Sequence, residues 1–250
     1  MIFIKCVYFF KDTYIHPYKT LTNMSKSILI TGATGNLGGA VTRKLLADGY
    51  KLYTTLVPNE KAPDDERIHA KVVDLFDEHD CAVYVDEVGE SGDDVAAGIF
   101  LVGGFAMGSL TETTLGALDK MIRLNFYTAF SMAKPLFEHF EKKGGGQIIL
   151  IGARPALTAA QGKMAVAYAL SKSLIFHLAE IINQAGKDKN IRASVVVPST
   201  IDTAPNRQSM PDADHTKWVP AESIADVIAF LLTDSGSMLR ETVVKVYNES

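Results

Sequence analysis

The stretch Ser27–Gly38 reads SILITGATGNLG, and the fold follows from it. Its first five residues, SILIT, are a short β-rich run. Three glycines follow at Gly32, Gly35 and Gly38, and from Leu37 an amphipathic helical period runs to Asp48 and stops at Gly49. A strand, a glycine turn and a helix in this order suit a pyrophosphate. Backbone N–H groups of the turn and of the helix N-terminus point at the anion, and glycine lets the backbone come close. The candidate cradle is Thr31, Gly32, Thr34, Gly35, Asn36, Leu37 and Gly38. A glycine-rich turn that binds nothing is the plainer alternative, and three glycines in the first βα turn argue against it.

Working outward, strand-like runs recur at Lys51–Val57, His69–Val73, Gly98–Val102, Gln147–Ile151, Ile191–Val197 and Thr242–Tyr247. Helical periods separate them at Glu78–Val88, Thr113–Glu141, Ala165–Ala185 and Ala221–Leu232, with Pro135 as the expected kink in the longest. Strands alternating with helices imply right-handed crossovers and a mainly parallel sheet. The runs SILI, GIFLV, QIILI and SVVV are near-continuously apolar, which suits strands buried on both faces. The expected fold is α/β: one doubly wound, Rossmann-type parallel sheet with helices on both faces, a single domain over 25–250.

The chain of 250 residues is 47% hydrophobic and 22% charged, enough apolar material for a sizeable core. A net charge of −4 gives no electrostatic footprint for nucleic acid. Two distant cysteines, Cys6 and Cys81, fit a reducing, cytoplasmic compartment without a disulfide framework. No window has the apolar length of a membrane span, and no His/Cys/Asp cluster has metal-ligand spacing. Residues 1–24 stand apart as an N-terminal extension. Lys5 breaks their apolar run, which argues against a secretory signal. Translation from Met24 is an alternative, because a complete fold signal starts directly after it.

The residue that meets the adenosine ribose belongs at the end of the second strand, where an acid favours NAD and an arginine NADP. Leu56 and Val57 stand there, with Glu60 and Lys61 just beyond, so the sequence leaves NAD and NADP both open. Asp74-Leu75 follows the third strand and is placed to contact the adenine. A helix N-cap is the equal alternative for Asp74.

Tyr168-Ala-Leu-Ser-Lys172 sets a phenol and an ammonium four apart on one helix face. An ammonium beside a phenol favours the phenolate and makes the tyrosine a usable proton donor and acceptor near neutral pH. The spacing alone is weak evidence; its position after a strand, in a pattern opened by a glycine turn, carries the inference.

With these motifs in place, the sequence from Ser27 to Tyr247 resembles the short-chain dehydrogenase/reductase family. The resemblance rests on TGATGNLG, Asp74-Leu75, VGG at 102–104, Asn125, Tyr168/Lys172, and Pro198 followed by Ile201-Asp202-Thr203. It implies hydride transfer with NAD or NADP and a homodimer or homotetramer. It implies Tyr168 as proton donor, Lys172 on the nicotinamide ribose, and Asn125 supporting a proton relay. It places Gly103, Gly104, Pro198 and Thr203 against the cofactor. The serine that usually polarises the substrate carbonyl is absent. Ala153 stands in its place, with Thr158 as a displaced substitute. An oxyanion donor is commonly worth about 2.7–4 kcal/mol in the transition state, so its loss points to a substrate that is already electrophilic.

The second half resembles the dihydropteridine reductase branch through VGGFAMG (102–108), GARPAL (152–157) and IDTAPNRQSMPDADHTKWVP (201–220). That implies a flat, quinonoid pterin-like substrate, with Phe105 as the aromatic that stacks on it. Residues 204–220 form a natural lid, in which Trp218 either faces substrate or anchors the lid by packing. Arg207 pairs with a substrate anion or forms a surface salt bridge. Two further readings remain open: reduction of another small carbonyl compound, and a non-catalytic nucleotide sensor.

Overall fold

The computed structural model describes residues 26–249. The N-terminal extension, Cys6 and the start at Met24 lie outside the described residues. Among the described residues nine strands form: β1 Ser27–Thr31, β2 Lys51–Leu56, β3 Ile68–Val72, β4 Val95–Phe100, β5 Gly146–Ile151, β6 Ile191–Pro198, β7 Ile201–Asp202, β8 Val219–Pro220 and β9 Thr242–Val246. Seven of them make one sheet in the order β3-β2-β1-β4-β5-β6-β9, and every pairing in it is parallel. The order reverses between β1 and β4, which opens a crevice at the carboxyl ends of the strands.

The helices are α1 Asn36–Ala47, α2 Glu78–Glu90, α3 Leu115–Ile122, α4 Thr128–Lys143, α5 Ala159–Gly162, α6 Val166–Gly186, α7 Ala204–Ser209, α8 Ala221–Leu232 and α9 Asp234–Ser237. The pleat of β1 shows how the layers arise, because neighbouring side chains leave opposite faces. Ile28 and Ile30 join Val41 and Leu45 of α1 and Ile224 and Ile228 of α8. Leu29 points the other way, into a core with Val85 of α2, Leu136 and Phe140 of α4 and Ile175 of α6. Both faces are thus buried, as the unbroken apolar runs require.

Two expectations need correction. The long period over 113–141 does not break at Pro135, which lies inside α4. The break is a five-residue π-turn, Arg123–Tyr127, between α3 and α4. Nor does Asp74 cap a helix: Asp77 caps α2, accepting from the N–H groups of His79 and Asp80. Asp74 instead closes a local turn by accepting from Phe76 N at 2.9 Å.

Candidate functional site

The glycine turn lies at the carboxyl end of β1. Gly32 has φ +72°, a left-handed conformation that disfavours any side chain, and Gly38 packs so closely that a Cβ would stand 1.9 Å from Gly32 O. Gly35 occupies the N-cap of α1 with no side-chain cap, and no acid stands in the first turn. The helix therefore opens on backbone donors that no side chain caps and no acid of its own first turn neutralises. Thr34, Gly35, Val57, Glu60, Asp74, Leu75, Phe76 and Gly103 line the adjoining cleft, a cavity of about 550 Å³.

Glu60 is the residue here whose role the sequence left open. Its Oε2 accepts from Val57 N at 3.1 Å, and its Oε1 accepts from the Thr34 hydroxyl. The carboxylate has folded back from the loop to the end of β2, beside the glycine turn. No periodicity signals this, because three loop residues separate Glu60 from the strand end.

Asn125 sits in the π-turn and is 1% exposed, so it is not a surface polar residue. Its Oδ1 accepts from Gly104 N at 2.9 Å, while its Nδ2 donates to Gly104 O at 3.1 Å and to Ser171 Oγ at 3.0 Å. Ser171 Oγ in turn donates to Tyr168 O at 2.8 Å. One amide thus joins the exit of β4 to the helix that carries Tyr168. Gly103 must be glycine, since a Cβ there would lie 2.6 Å from Asn125 Oδ1 and 3.3 Å from Lys172 Nζ. Ser171 had no motif of its own and was missed as a partner of Asn125.

Lys172 is 6% exposed, and its Nζ donates to Ile151 O at 2.8 Å. Burial pushes its ammonium down to about 8. Burial also pushes the Tyr168 phenol up to about 12. The expected lowering of the phenol by Lys172 is therefore not realised in this arrangement; desolvation dominates. Tyr168 stays protonated at neutral pH, which suits a proton donor. α6 presents it because Gly108 bridges to its first turn: Gly108 N donates to Met164 O and Val166 N to Gly108 O, both at 2.9 Å.

Beside Tyr168 lies a cavity of about 320 Å³ lined by Phe105, Ala153, Gln161, Pro198, Asn206 and Met210, among others. Phe105 meets Tyr168 edge to face, with ring centroids 4.9 Å apart at 77°. Ala153 is buried at the wall and offers no hydroxyl. Thr158 does not replace it, because it lines a separate groove with Leu110 and Leu170.

The lid is pinned at its stem, where β7 pairs with β8 through Ile201–Val219 and Asp202–Pro220. Trp218 is 6% exposed, packs against His215 with centroids 4.4 Å apart and the rings tilted by 49°, and does not line the substrate cavity. Its substrate-facing role is thereby corrected: the side chain is spent on packing the lid. Thr203, which the family resemblance places against the cofactor, caps α7 and accepts from Asn206 N at 3.4 Å. Arg207 forms a bidentate pair with Asp202, Nε–Oδ1 2.5 Å and Nη2–Oδ2 2.7 Å. Among the described residues no group of His, Cys, Asp and Glu could hold a metal, and no helix is long and apolar enough to cross a membrane.

The model of the short chain dehydrogenase family matches residues 26–214. Dihydropteridine reductase of Dictyostelium discoideum is 26% identical over 220 residues, covering 86% of this chain and 90% of that one. The 3-oxoacyl-[acyl-carrier-protein] reductase MabA of Mycobacterium tuberculosis is 25% identical over 244 residues, covering 89% and 92%. Among solved structures, ElxO with NADP bound shares the fold at a TM-score of 0.80 and 20% identity, covering 89% of this chain and 97% of that one.

Proposed function

From the premise that the chain belongs to the short-chain dehydrogenase family and is an NAD(P)-dependent oxidoreductase, we propose that it reduces a small, planar, electrophilic substrate of the quinonoid dihydropterin kind. The observation that carries this is the pairing of Phe105 with Tyr168 over a cavity whose polarising position is Ala153. An unactivated ketone needs a second donor on its oxygen. A quinonoid ring does not, and an aromatic face suits a flat heterocycle. The likeness to a dihydropteridine reductase supports the same substrate class.

The residues present fit a dinucleotide. The glycine turn and the free donors of α1 would hold the pyrophosphate, Asp74 and Leu75 would border the adenine, and Gly103, Gly104 and Pro198 would border the nicotinamide end. The bound nicotinamide supplies the hydride. Tyr168 delivers the proton that completes the two-electron reduction. Lys172 would hold the nicotinamide ribose, and its ammonium, drawn beside the phenol by that contact, would bring the phenol down from its buried value. Asn125 and Ser171 hold Tyr168 to the exit of β4 and support proton return to the phenol. Glu60 selects NADH, because a carboxylate at the end of β2 accepts from ribose hydroxyls and repels a 2′-phosphate. An expected NADH dissociation constant well below that of NADPH, equalised in Glu60→Gln, checks this choice.

The exposed apolar residues Tyr127, Phe130, Leu170 and Ile181 on α4, α6 and the turn before α4 support a homodimer or homotetramer. Gel filtration reads that state, and a monomer overturns it. The deciding assay follows loss of NADH absorbance with quinonoid dihydropterin and with a panel of ketones, minus the uncatalysed rate. Turnover of the pterin, with Tyr168→Phe slower by at least roughly a hundredfold, is the expected result. A fully active Tyr168→Phe variant sinks the mechanism, and cofactor binding without any turnover makes the chain a sensor. The likeness to MabA favours, as second reading, a small carbonyl substrate; turnover confined to the ketones selects it.

A further inference from the structure

The amino-terminal ends of β1, β4, β5 and β6 frame a second cavity, of about 350 Å³, on the side of the sheet away from the cofactor crevice. Four cations and two carboxylates line it: Lys26, Lys143, Arg192 and Arg240 against Asp94 and Asp234. One pair is internally satisfied, because Lys143 bonds Asp94. Among the described residues Lys26, Arg192 and Arg240 form no ion pair. The acid next to Arg240, Glu241, is bonded instead to Gln184 at 3.2 Å.

Arg192 is the anomaly at this pole. Its Nη2 donates to Gln147 Oε1 at 2.9 Å, and its Nε is buried with no partner at all. Gln147 is 1% exposed, so a buried polar side chain fixes the orientation of the guanidinium. Burial and the neighbouring Arg240 charge both hold the Arg192 guanidinium below its usual value. A buried donor without an acceptor is costly, more so on a charged group, and such groups mark water or ion sites. With Lys143 and Asp94 paired, the cations Lys26, Arg192 and Arg240 face one remaining carboxylate, Asp234, and that excess of positive charge is complementary to a multivalent oxyanion.

We propose that this pole is a binding site for a phosphate group, held between Arg192 and Arg240 with Lys26 at its rim. The cavity has room for more than a bare ion, so the group is inorganic phosphate or the end of a small phosphomonoester. Bound there, it joins the amino ends of the central strands to the segment that enters β9.

The test is thermal unfolding of the full chain with inorganic phosphate or ribose 5-phosphate, at constant ionic strength set with sodium chloride. The proposal expects a saturable rise in Tm. Arg192→Gln and Arg240→Glu should each weaken the apparent affinity by at least about tenfold. Both variants leave the glycine turn untouched, so phosphate binding in the cofactor crevice persists in them and is subtracted. Saturation by phosphate identifies the free ion, and saturation by the sugar phosphate alone identifies a monoester. An adventitious ion only is the overturning outcome: a rise that never saturates, that chloride reproduces, or that both variants retain in full. Arg240 is exposed, so its variant keeps the test decisive if Arg192→Gln does not fold.

Discussion

Lys172 shows that this site is built for chemistry at the expense of stability. Lys172 has one hydrogen bond and almost no solvent. Its ordinary value of 10.5 falls to about 8 in the folded chain, a difference of about 3 kcal/mol. The unfolded chain holds that proton more tightly, so stability rises with pH between about 8 and 10 and the penalty is full below that window. Lys172→Met removes the penalty and gives up the bond to Ile151 O, for a net gain of about 1–2 kcal/mol. The expected outcome is a Tm higher by roughly 2–8 °C, a flatter pH dependence of Tm above about 8, and loss of turnover. A lower Tm at neutral pH would show that the ammonium is better solvated than its burial implies. Reading the pair Tyr168/Lys172 from sequence was possible because it is a local spacing on one helix. The direction of the phenol was not readable, because it depends on which atoms pack around it.

At the scale of elements, the glycine turn and α1 act as one part. Gly38 lies a full turn into the motif, yet a Cβ there would collide with Gly32 O at 1.9 Å. Gly38→Ala must push α1 away from the turn and rotate its free N–H groups off the pyrophosphate. The expected result is destabilisation of about 1–3 kcal/mol and cofactor affinity weaker by at least roughly tenfold, read by denaturant midpoint and by cofactor titration. The α2–α4 pair carries a second, separate weakness. His139 of α4 has a buried Nε2 with no partner, and burial, aided by Lys143 and Lys142, holds its imidazole below the usual value. A base whose folded value is lowered contributes stability above its unfolded value of 6.5 and loses it as pH falls. Wild type should therefore lose more stability than His139→Gln between pH 7 and about 5.5, as measured by urea midpoints. Equal losses would mean that the helix pair opens to water around His139. The glycine turn was legible because the turn, the close approach and the helix start each demand glycine. The π-turn was not legible: no residue type is required for it, and Pro135 offered a more visible but wrong place for the break.

Across the whole molecule, the parallel order and the two-sided core followed from alternating runs that are mostly apolar, in which polar side chains such as Gln147 and Ser194 are buried exceptions. Contacts between distant loops did not follow. Glu60 reaching Thr34, Trp218 turning onto His215, and Thr158 falling outside the substrate cavity all depend on where loops land. The crevice they border gathers β1, β2, β3 and β4 with the π-turn, so a dinucleotide there ties together segments from Gly32 to Thr128. Such a ligand binds the folded chain alone and should stabilise it as a unit. At a hundredfold excess over its dissociation constant the gain is about 2.7 kcal/mol. For a chain of this size that corresponds to a Tm rise of roughly 5–10 °C. NADH should give the full shift in wild type and in Tyr168→Phe, whose crevice is intact, and a much smaller one in Gly38→Ala at the same concentration. NADPH should shift wild type less than NADH, and the gap should close in Glu60→Gln, where the repelling carboxylate is gone. A shift from NADH that persists unreduced in Gly38→Ala would place the dinucleotide away from the glycine turn and remove the premise on which the crevice was assigned.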